Sequence, residues 1–165
     1  MIFLKLVLNG EALAGDATTQ GYERWIGIDS FKWSMSATHK PMVRNVRTEL
    51  RPGVVRLSKV FDKATTVLFD HMMRQRQLDH ALVVMVDTAL RDSAEKPQKM
   101  LEMRLDRCFV HGIQASAEDA GRSLKIAEEL ELTFEGGYLE YFPDDAQSNR
   151  RPTGKTFEIP KILAS

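Results

Sequence analysis

Apolar and polar residues alternate along much of the chain, and this period of two is the pattern of half-buried antiparallel strands. Residues 101–110 and 130–134 show it most clearly. In the second stretch, one strand face carries Leu130, Leu132 and Phe134, which are predicted to lie in the core. The apolar run Ile2 to Leu8 predicts an N-terminal strand. The pattern therefore predicts a mainly β fold, an antiparallel β-barrel or sandwich.

Helical spacing occurs once, directly after a predicted strand at residues 54–61. Asp62 is a good N-cap because its carboxylate accepts free backbone N–H groups of the first turn. The apolar residues that follow recur at the spacing of a helix: Ala64, Val67, Leu68 and Met72. We therefore predict one helix over residues 62–77, packed across the sheet. Further strands are predicted at residues 81–87, 138–142 and 154–163, and a polar hairpin loop at residues 115–123.

The region Trp25 to Ala37 alternates strongly, but with a change of phase. Its later part places one set of residues on a predicted core face: Phe31, Trp33 and Met35. The intervening residues belong to the opposite face: Lys32, Ser34 and Ser36. Ile26 and Ile28 occupy the alternate positions, so in an unbroken strand they would face away from Phe31, Trp33 and Met35. The sequence therefore predicts a β-bulge near residues 29–30, because one extra residue reverses the facing of a strand.

Residues 38–53 are predicted to form a long loop that leaves the body of the protein. Its basic and apolar residues, the candidates for a contact, are Lys40, Met42, Val43, Arg44, Val46, Arg47, Leu50 and Arg51. Loops longer than about 12 residues are usually functional or disordered. Three interpretations are open: a solvated loop, a nucleic-acid contact, and an arm that binds protein. The absence of aromatic residues between Thr38 and Leu57 disfavours nucleic acid, because single strands are bound by stacking on aromatic rings.

The composition limits the class of protein. A chain of 165 residues suits one domain spanning residues 1–165. The 23 Lys and Arg residues equal the 23 Asp and Glu residues, which argues against nucleic acid or an anionic membrane as partner. No apolar run approaches the roughly 18 residues of a membrane-spanning helix. No basic region precedes the N-terminal strand, so no signal peptide is predicted.

The residue types that carry catalysis or bind metals are scattered along the chain. None of the four histidines has metal-ligand spacing: His39, His71, His80 and His111. Cys108 is predicted to be a small buried hydrophobe on an apolar strand face. The adjacent carboxylates Glu128 and Glu129 would point to opposite faces of a strand. Motifs of phosphate-binding loops and nucleophiles are missing, so we predict no catalytic site, no metal site and no cofactor.

Several of these segments, in order, resemble the haemolysin-coregulated protein (Hcp) family, the tube subunits of type VI secretion. Residues 31–36 are similar to the family's aromatic-x-Trp-x-Met-Ser strand. Leu57 to Leu68 resembles its strand leading into a capped helix, and Glu128 to Phe134 its Glu-x-apolar-x-Leu-x-Phe strand. Ile2 to Leu6 and Gly154 to Ile159 are similar to its first and last strands. The ordered set covers nearly the whole chain.

The resemblance implies a subunit that assembles six to a ring, with rings stacked into a hollow tube. The tube would lie inside a contractile sheath, carry a spike at its tip and hold effector proteins in its lumen. It would be exported by the machine itself, from the bacterial cytoplasm to the exterior or a target cell. Lys32, Ser34 and Ser36 would line the lumen, and six copies of Lys32 would form a cationic belt. The basic loop would reach the next ring, so we expect salt-sensitive stacking.

Other functions stay open at this point. A phage-type tail-tube protein shares this fold and assembly and differs in its context. A monomeric β-barrel that binds a ligand or nucleic acid would need no self-contacts. A catalytic C-terminal extension is not expected, because the sequence ends at Ser165, shortly after the predicted closing strand.

Overall fold

The structure is a computed structural model, which describes residues 1–41, 46–92, 94–119, 124–143 and 153–158. The elements in chain order are β1 (Ile2–Leu8), β2 (Glu11–Ala12), β3 (Ile26–Ile28), β4 (Ser30–Lys32), β5 (Met35–Pro41), β6 (Val46–Pro52), β7 (Val55–Val60), α1 (Lys63–Met73), β8 (Leu78–Arg91), β9 (Pro97–Asp119), β10 (Leu124–Thr133), β11 (Gly136–Tyr141) and β12 (Thr153–Glu158). Every strand pairing is antiparallel. The predicted fold class, mainly β with one helix, is confirmed.

Within the described residues, ten strands form one continuous sheet that folds over the core. Its main path runs β2-β1-β8-β9-β10-β7-β4, with β3 on β1, β11 on β9 and β12 on β11. The 23-residue strand β9 belongs to both halves of this sheet. Its first part pairs with β8 and β11, and its last part pairs with β10. The two halves that share β9 therefore face each other across one core.

The main core cluster joins these two halves. Leu4 and Leu6 on β1 belong to the same cluster as Leu57 on β7 and as Leu130 and Leu132 on β10, and all five are fully buried. Alternation along each strand sends these residues inward and their neighbours outward. Burying one such leucine side chain stabilises the fold by about 1.5–3 kcal/mol. This cluster is the core that the alternating pattern of the sequence predicts.

A second, smaller cluster lies where the segment between β2 and β3 covers β1 and β8. It contains Phe3, Tyr22, Val84 and Val86, all buried. The Tyr22 ring stacks on Phe3 with 4.6 Å between ring centroids, and Trp25 meets Tyr22 edge-on at 5.2 Å. A segment rich in Gly and Thr thus forms an ordered cover, because its aromatic residues supply apolar surface to bury.

The predicted change of phase after Ile28 arises from a change of partner strand. β3 pairs with β1, whereas β4 pairs with β7. Between them, the backbone N–H of Asp29 donates to the carbonyl oxygen of Ser58 at 2.7 Å. The chain thus crosses from one half of the sheet to the other, and both Ile26 and Phe31 contact the main core cluster. The predicted β-bulge near residues 29–30 is therefore not needed, because the change of partner strand alone explains why Ile26 and Phe31 both face the core.

The alternation at Phe31, Trp33 and Met35 is interrupted by a gap between strands. Phe31 and Trp33 are half-buried and pack against the core. The prediction that Met35 lies in the core is wrong, since 41% of its surface is exposed. β4 ends at Lys32 and a new strand, β5, begins at Met35. A facing pattern does not carry across such a break.

Two segments predicted as loops are strands. Residues 38–53 lie mainly in the hairpin of β5 and β6, and residues 115–119 continue β9, paired with β10. Proline made the first segment look irregular, but Pro41 and Pro52 each end a strand, where a missing N–H is tolerated. The second segment is polar because its described side chains are exposed.

The remaining boundaries differ by a few residues from the predictions. The helix ends at Met73 rather than residue 77, because Gln75 adopts a positive φ of 51° that terminates helices. Its N-cap is Asp62, as predicted. β12 occupies residues 153–158, and the predicted continuation to residue 163 lies outside the described residues.

Candidate assembly surfaces

A hairpin arm, formed by β5 and β6, leaves the body of the protein. Its two strands pair only with each other within the described part of the chain. Residues 35–39 are all exposed. An isolated two-stranded hairpin is at best marginally stable in water, so this arm gains stability when a partner covers it.

The base of the hairpin arm is a tight backbone contact. Gly53 donates its N–H to the carbonyl oxygen of Ser34 at 2.8 Å. A Cβ at Gly53 would collide with this oxygen and with the Ser34 side chain. Glycine therefore allows the two chain segments to close the arm at its root.

The residues predicted to make a stacking contact fall mainly on this arm. Register pairs Lys40 with Arg47, and β6 also carries Val46, Leu50 and Arg51. Three further candidates lie outside the described residues: Met42, Val43 and Arg44. The basic segment is thus a paired hairpin whose charges belong to two adjacent strands.

The residues predicted to line a lumen do not share one strand. Lys32 is exposed on β4, Ser34 is exposed in the connection after it, and Ser36 is exposed on the hairpin arm. Only Lys32 lies on the main sheet. Its cross-strand partner is Arg56, which belongs to the same outward face of β4 and β7.

This outward face carries both signs of charge. Arg56 lies opposite Glu131 in the register, and its Nε approaches the Glu131 carboxylate at 2.6 Å and Glu129 at 3.9 Å. The Glu131 carboxylate raises the pKa of the Arg56 guanidinium. Lys32 and Arg56 are thus accompanied by two glutamates on this charged sheet face, and the expected belt of Lys32 in a ring stays a prediction.

A buried ion-pair cluster anchors the start of α1 to the sheet. The Lys59 ammonium donates to Asp62 Oδ1 and to Thr65 Oγ1, each at 2.9 Å. It also lies 3.3 Å from Glu128 Oε2, and the side chains of Lys59 and Glu128 are fully buried. Thr65 Oγ1 donates to the same Glu128 oxygen at 2.5 Å. The cluster therefore links β7, the helix N-cap and β10.

The sequence pattern indicates Asp62 as an N-cap and Glu128 as one of two adjacent carboxylates, but it does not predict that they meet in this cluster. Glu128 is buried and Glu129 exposed, so the pair does point to opposite faces. A signal was present: Lys59 and Glu128 occupy inward positions of their strands, and a charge there requires a partner.

An open groove, the corner groove, lies where β1, the β3–β4 crossing and the end of β7 meet. Its volume is about 360 Å³. Apolar residues including Ile2, Ile28 and Phe61 line it, and Phe61 is 41% exposed. Its charged lining side chains are Asp16, Asp29 and Asp62, and the terminal ammonium of Met1 adds a positive charge. The groove thus combines exposed apolar surface with carboxylates.

The exposed flank of α1 is a further apolar surface. Phe69 is 52% exposed and Met73 is 68% exposed. They lie four residues apart and so on one side of the helix. The opposite side is buried through Ala64 and Leu68.

Cys108, which was considered for nucleophilic chemistry, lies in the core. Cys108 is buried, and burial raises the pKa of its thiol to about 12, so the thiol stays protonated at neutral pH. Its Sγ donates to the carbonyl oxygen of Leu105 at 3.1 Å. Within residues 1–41, 46–92, 94–119, 124–143 and 153–158, no group of three His, Cys, Asp or Glu side chains could hold a metal ion. Over the same ranges, no helix is long and apolar enough to cross a membrane.

The fold and its surfaces define a class: a small antiparallel β-sandwich that carries a hairpin arm and a capped helix. Residues 3–141 match the family model described as "Type VI secretion system effector, Hcp". The chain therefore belongs to the Hcp family of the type VI secretion system. The resemblance deduced from the sequence is confirmed. Comparison with curated proteins gives no match.

Several solved structures share this fold. An Hcp1 protein of Escherichia coli matches with a TM-score of 0.71 at 13% identity, over 94% of this chain and 97% of that one. A type VI secretion system effector of Yersinia pestis matches with a TM-score of 0.72 at 12% identity, over 96% and 100%. The secreted protein Hcp3 of Pseudomonas aeruginosa matches with a TM-score of 0.64 at 12% identity, over 96% and 100%. At these identities the likeness shows a shared fold.

Proposed function

We propose that six copies of this chain close a ring, and that stacked rings form the inner tube of a type VI secretion machine. The match to the Hcp family over residues 3–141 carries this proposal. Two features of the fold support it. The hairpin arm stands apart from the main sheet, and β12 and β4 each pair with one strand only in the described part of the chain. Open strand edges and bare hairpins are surfaces that other chains complete.

In this tube the charged sheet face lines the channel. Lys32, Arg56 and Glu131 on this face are polar, and their neighbours Ser30 and Ser58 join hydroxyl groups at 2.6 Å. This face is mainly polar, with Val60 exposed at the end of β7, and a mainly hydrated surface suits a channel through which protein passes without sticking. Effector proteins are the expected occupants, as the family implies.

The remaining surfaces face the other parts of the machine. The sheath would surround the tube and meet its outside, where α1 presents Phe69 and Met73. The spike would cap the last ring at the tip. The tube assembles in the bacterial cytoplasm and leaves the cell when the machine fires.

Electron microscopy of the purified protein in negative stain, together with sedimentation, tests this proposal. We expect annular particles with a central channel and a mass near 112 kDa, six times the 18.7 kDa chain. Sedimentation is repeated over a concentration series, because the mass of an assembly depends on concentration. A single species of 18.7 kDa throughout that series, with no annular particles, would overturn the proposal.

A further inference from the structure

A pocket of about 370 Å³, which we call the aromatic pocket, lies at the edge of the segment that covers β1 and β8. Leu82 and Val84 line it from β8, and the rings of Tyr22 and Trp25 line it from the covering segment. The turn between β8 and β9 and the start of β9 add charged residues to its lining. Apolar walls with a few polar groups are typical of a binding site.

The hydroxyl group of Tyr22 lacks a hydrogen-bond partner within the part of the chain that the structure describes. Tyr22 is only 8% exposed, and its ring is held by stacking on Phe3. Burial, and then the carboxylates of Asp92 and Glu102, raise the pKa of the phenol, so the hydroxyl stays protonated at neutral pH. A buried phenol normally has a partner, and the open space beside this one is the aromatic pocket.

The two lysines that line the pocket already have carboxylates near them. The Lys99 ammonium donates to the Glu102 carboxylate. The Lys96 side chain lies over Gly21, where a Cβ would come within 2.8 Å of its Cδ. Backbone N–H groups, and then the charge of Lys96, lower the pKa of the Glu23 carboxyl. Both lysine charges are therefore balanced by glutamates.

Asp92 is the carboxylate of the pocket without a cation. Its Oδ1 accepts the backbone N–H groups of Ala94 and Lys96 at 2.8 and 3.0 Å. Among the residues that the structure describes, no side chain forms an ion pair with it, and Asp92 is exposed. Its Oδ2 and the Tyr22 hydroxyl thus leave one negative charge and one hydroxyl group available beside two aromatic rings.

We propose that the aromatic pocket binds an arginine side chain of a partner protein. A guanidinium is planar and weakly hydrated, so it can stack on the ring of Trp25 while it donates to Asp92 and to the hydroxyl oxygen of Tyr22. Its apolar stem packs on Leu82 and Val84. Lysine fits this pocket less well, because its ammonium is a strongly hydrated point charge that does not stack.

The aromatic pocket opens on the side of the protein that is turned away from the charged sheet face. Val83 belongs to the main core cluster, whereas Leu82 and Val84 on either side of it pack in the second cluster, because successive residues of a strand face opposite sides. Glu131 likewise alternates with buried leucines in the other half of the sheet. The two outward faces therefore point in opposite directions. Given the tube proposed above, on which this placement rests, the arginine comes from a protein outside the channel.

Tryptophan fluorescence tests the inference, because Trp25 lines the pocket while Trp33, the second tryptophan, packs against the main core. The purified protein is titrated at low salt with arginine whose amino and carboxyl groups are capped as amides. We expect a saturable change with a dissociation constant of about millimolar, since one side chain makes few contacts. The capped lysine compound should bind at least about fivefold more weakly.

Two conservative variants assign the binding to the pocket. Asp92→Asn keeps an oxygen for the turn but removes the charge, and should weaken binding roughly tenfold. Tyr22→Phe keeps the ring on Phe3 and should weaken it about threefold. Asp79→Asn is the matched control: Asp79 is exposed on β8 and accepts the backbone N–H of Gly10 at 2.8 Å, but lies outside the pocket. It should bind like the unmodified protein. Melting temperatures verify folding of all variants.

Each other outcome counts against the inference. A change that does not saturate, or that Asp92→Asn and Tyr22→Phe leave unaltered, would overturn it. Equal binding of the capped lysine compound would exclude a site for guanidinium. Binding of free arginine but not of the capped compound would show a site for the amino acid rather than for a protein side chain. Sedimentation of the same samples separates the two proposals: rings without arginine binding refute the pocket alone, whereas binding without rings refutes the tube.

Discussion

The buried ion-pair cluster beneath α1 gives the sharpest stability prediction. Lys59→Met removes the ammonium while keeping most of the apolar stem. The carboxylates of Glu128 and Asp62 then lose a cation at 3.3 Å and 2.9 Å. The side chain of Glu128 is fully buried and that of Asp62 is 10% exposed, so water does not replace the lost partner.

The magnitude follows from burial. Removing one partner of a buried ion pair costs about 3–5 kcal/mol, because it leaves an uncompensated charge in a poorly solvated site. Arg56→Met is the matched control: it lies on the same strand, and its ion pair with Glu131 is on the surface, with 56% of the Arg56 side chain exposed. A surface pair contributes about 0–1 kcal/mol. We therefore expect a difference of roughly 2–5 kcal/mol between the two variants.

Urea unfolding followed by circular dichroism measures both free energies. All variants are compared at one protein concentration, because self-association adds to apparent stability. A second variant separates charge from volume: Lys59→Met combined with Glu128→Leu removes both charges and should regain most of the loss. If Lys59→Met falls within 1 kcal/mol of Arg56→Met, the cluster does not hold the helix by charge pairing.

Three further predictions concern reactivity, pH and salt. Cys108 should resist a disulfide reagent at pH 8 in the folded protein and react after unfolding, because burial raises its pKa to about 12; rapid labelling of the native chain would contradict this. Burial, and then the positive charge of Arg104, lower the pKa of His80 below 6.5, so the folded chain binds this proton less readily than the unfolded chain. The contribution of neutral His80 to the free energy of unfolding should thus be present above pH 6.5 and be lost as the pH falls. His80→Gln should remove this part of the pH dependence, which is measured as the urea concentration at the midpoint of unfolding. Stacked rings should shorten between low and high NaCl in sedimentation, because the hairpin arm is basic and salt screens exposed charges; lengths independent of salt would exclude a charge-based contact.

The parts of the fold that sequence predicts are those governed by local periodicity. The strand that carries Leu130 and Leu132 alternates without a break, and both residues are fully buried. Asp62 was predictable as an N-cap because capping depends on a residue and the turn after it. In these places, the residues of a single strand or turn are enough to predict the structure.

The parts that sequence does not predict depend on which strands meet. Thr65 and Glu128 are 63 residues apart, and only the pairing of β7 with β10 brings them together. Met35 fits the alternation of Phe31, yet a gap between β4 and β5 moves it to an exposed arm. The corner groove likewise exists only because β1, β3 and β7 converge. No local pattern contains these contacts.

Strand register also decides the net charge of a channel lined by this chain, and therefore which cargo charge the channel would favour. The family resemblance implies that Lys32 would form a cationic belt. The register places Arg56 beside it and Glu131 beside Arg56, with Glu129 at 3.9 Å from the guanidinium. Two positive and two negative side chains per copy cancel, and charges this close together leave little field beyond a Debye length of about 8 Å. A ring built from this face would therefore present local dipoles rather than a net positive wall, and charge on the cargo would not decide its passage.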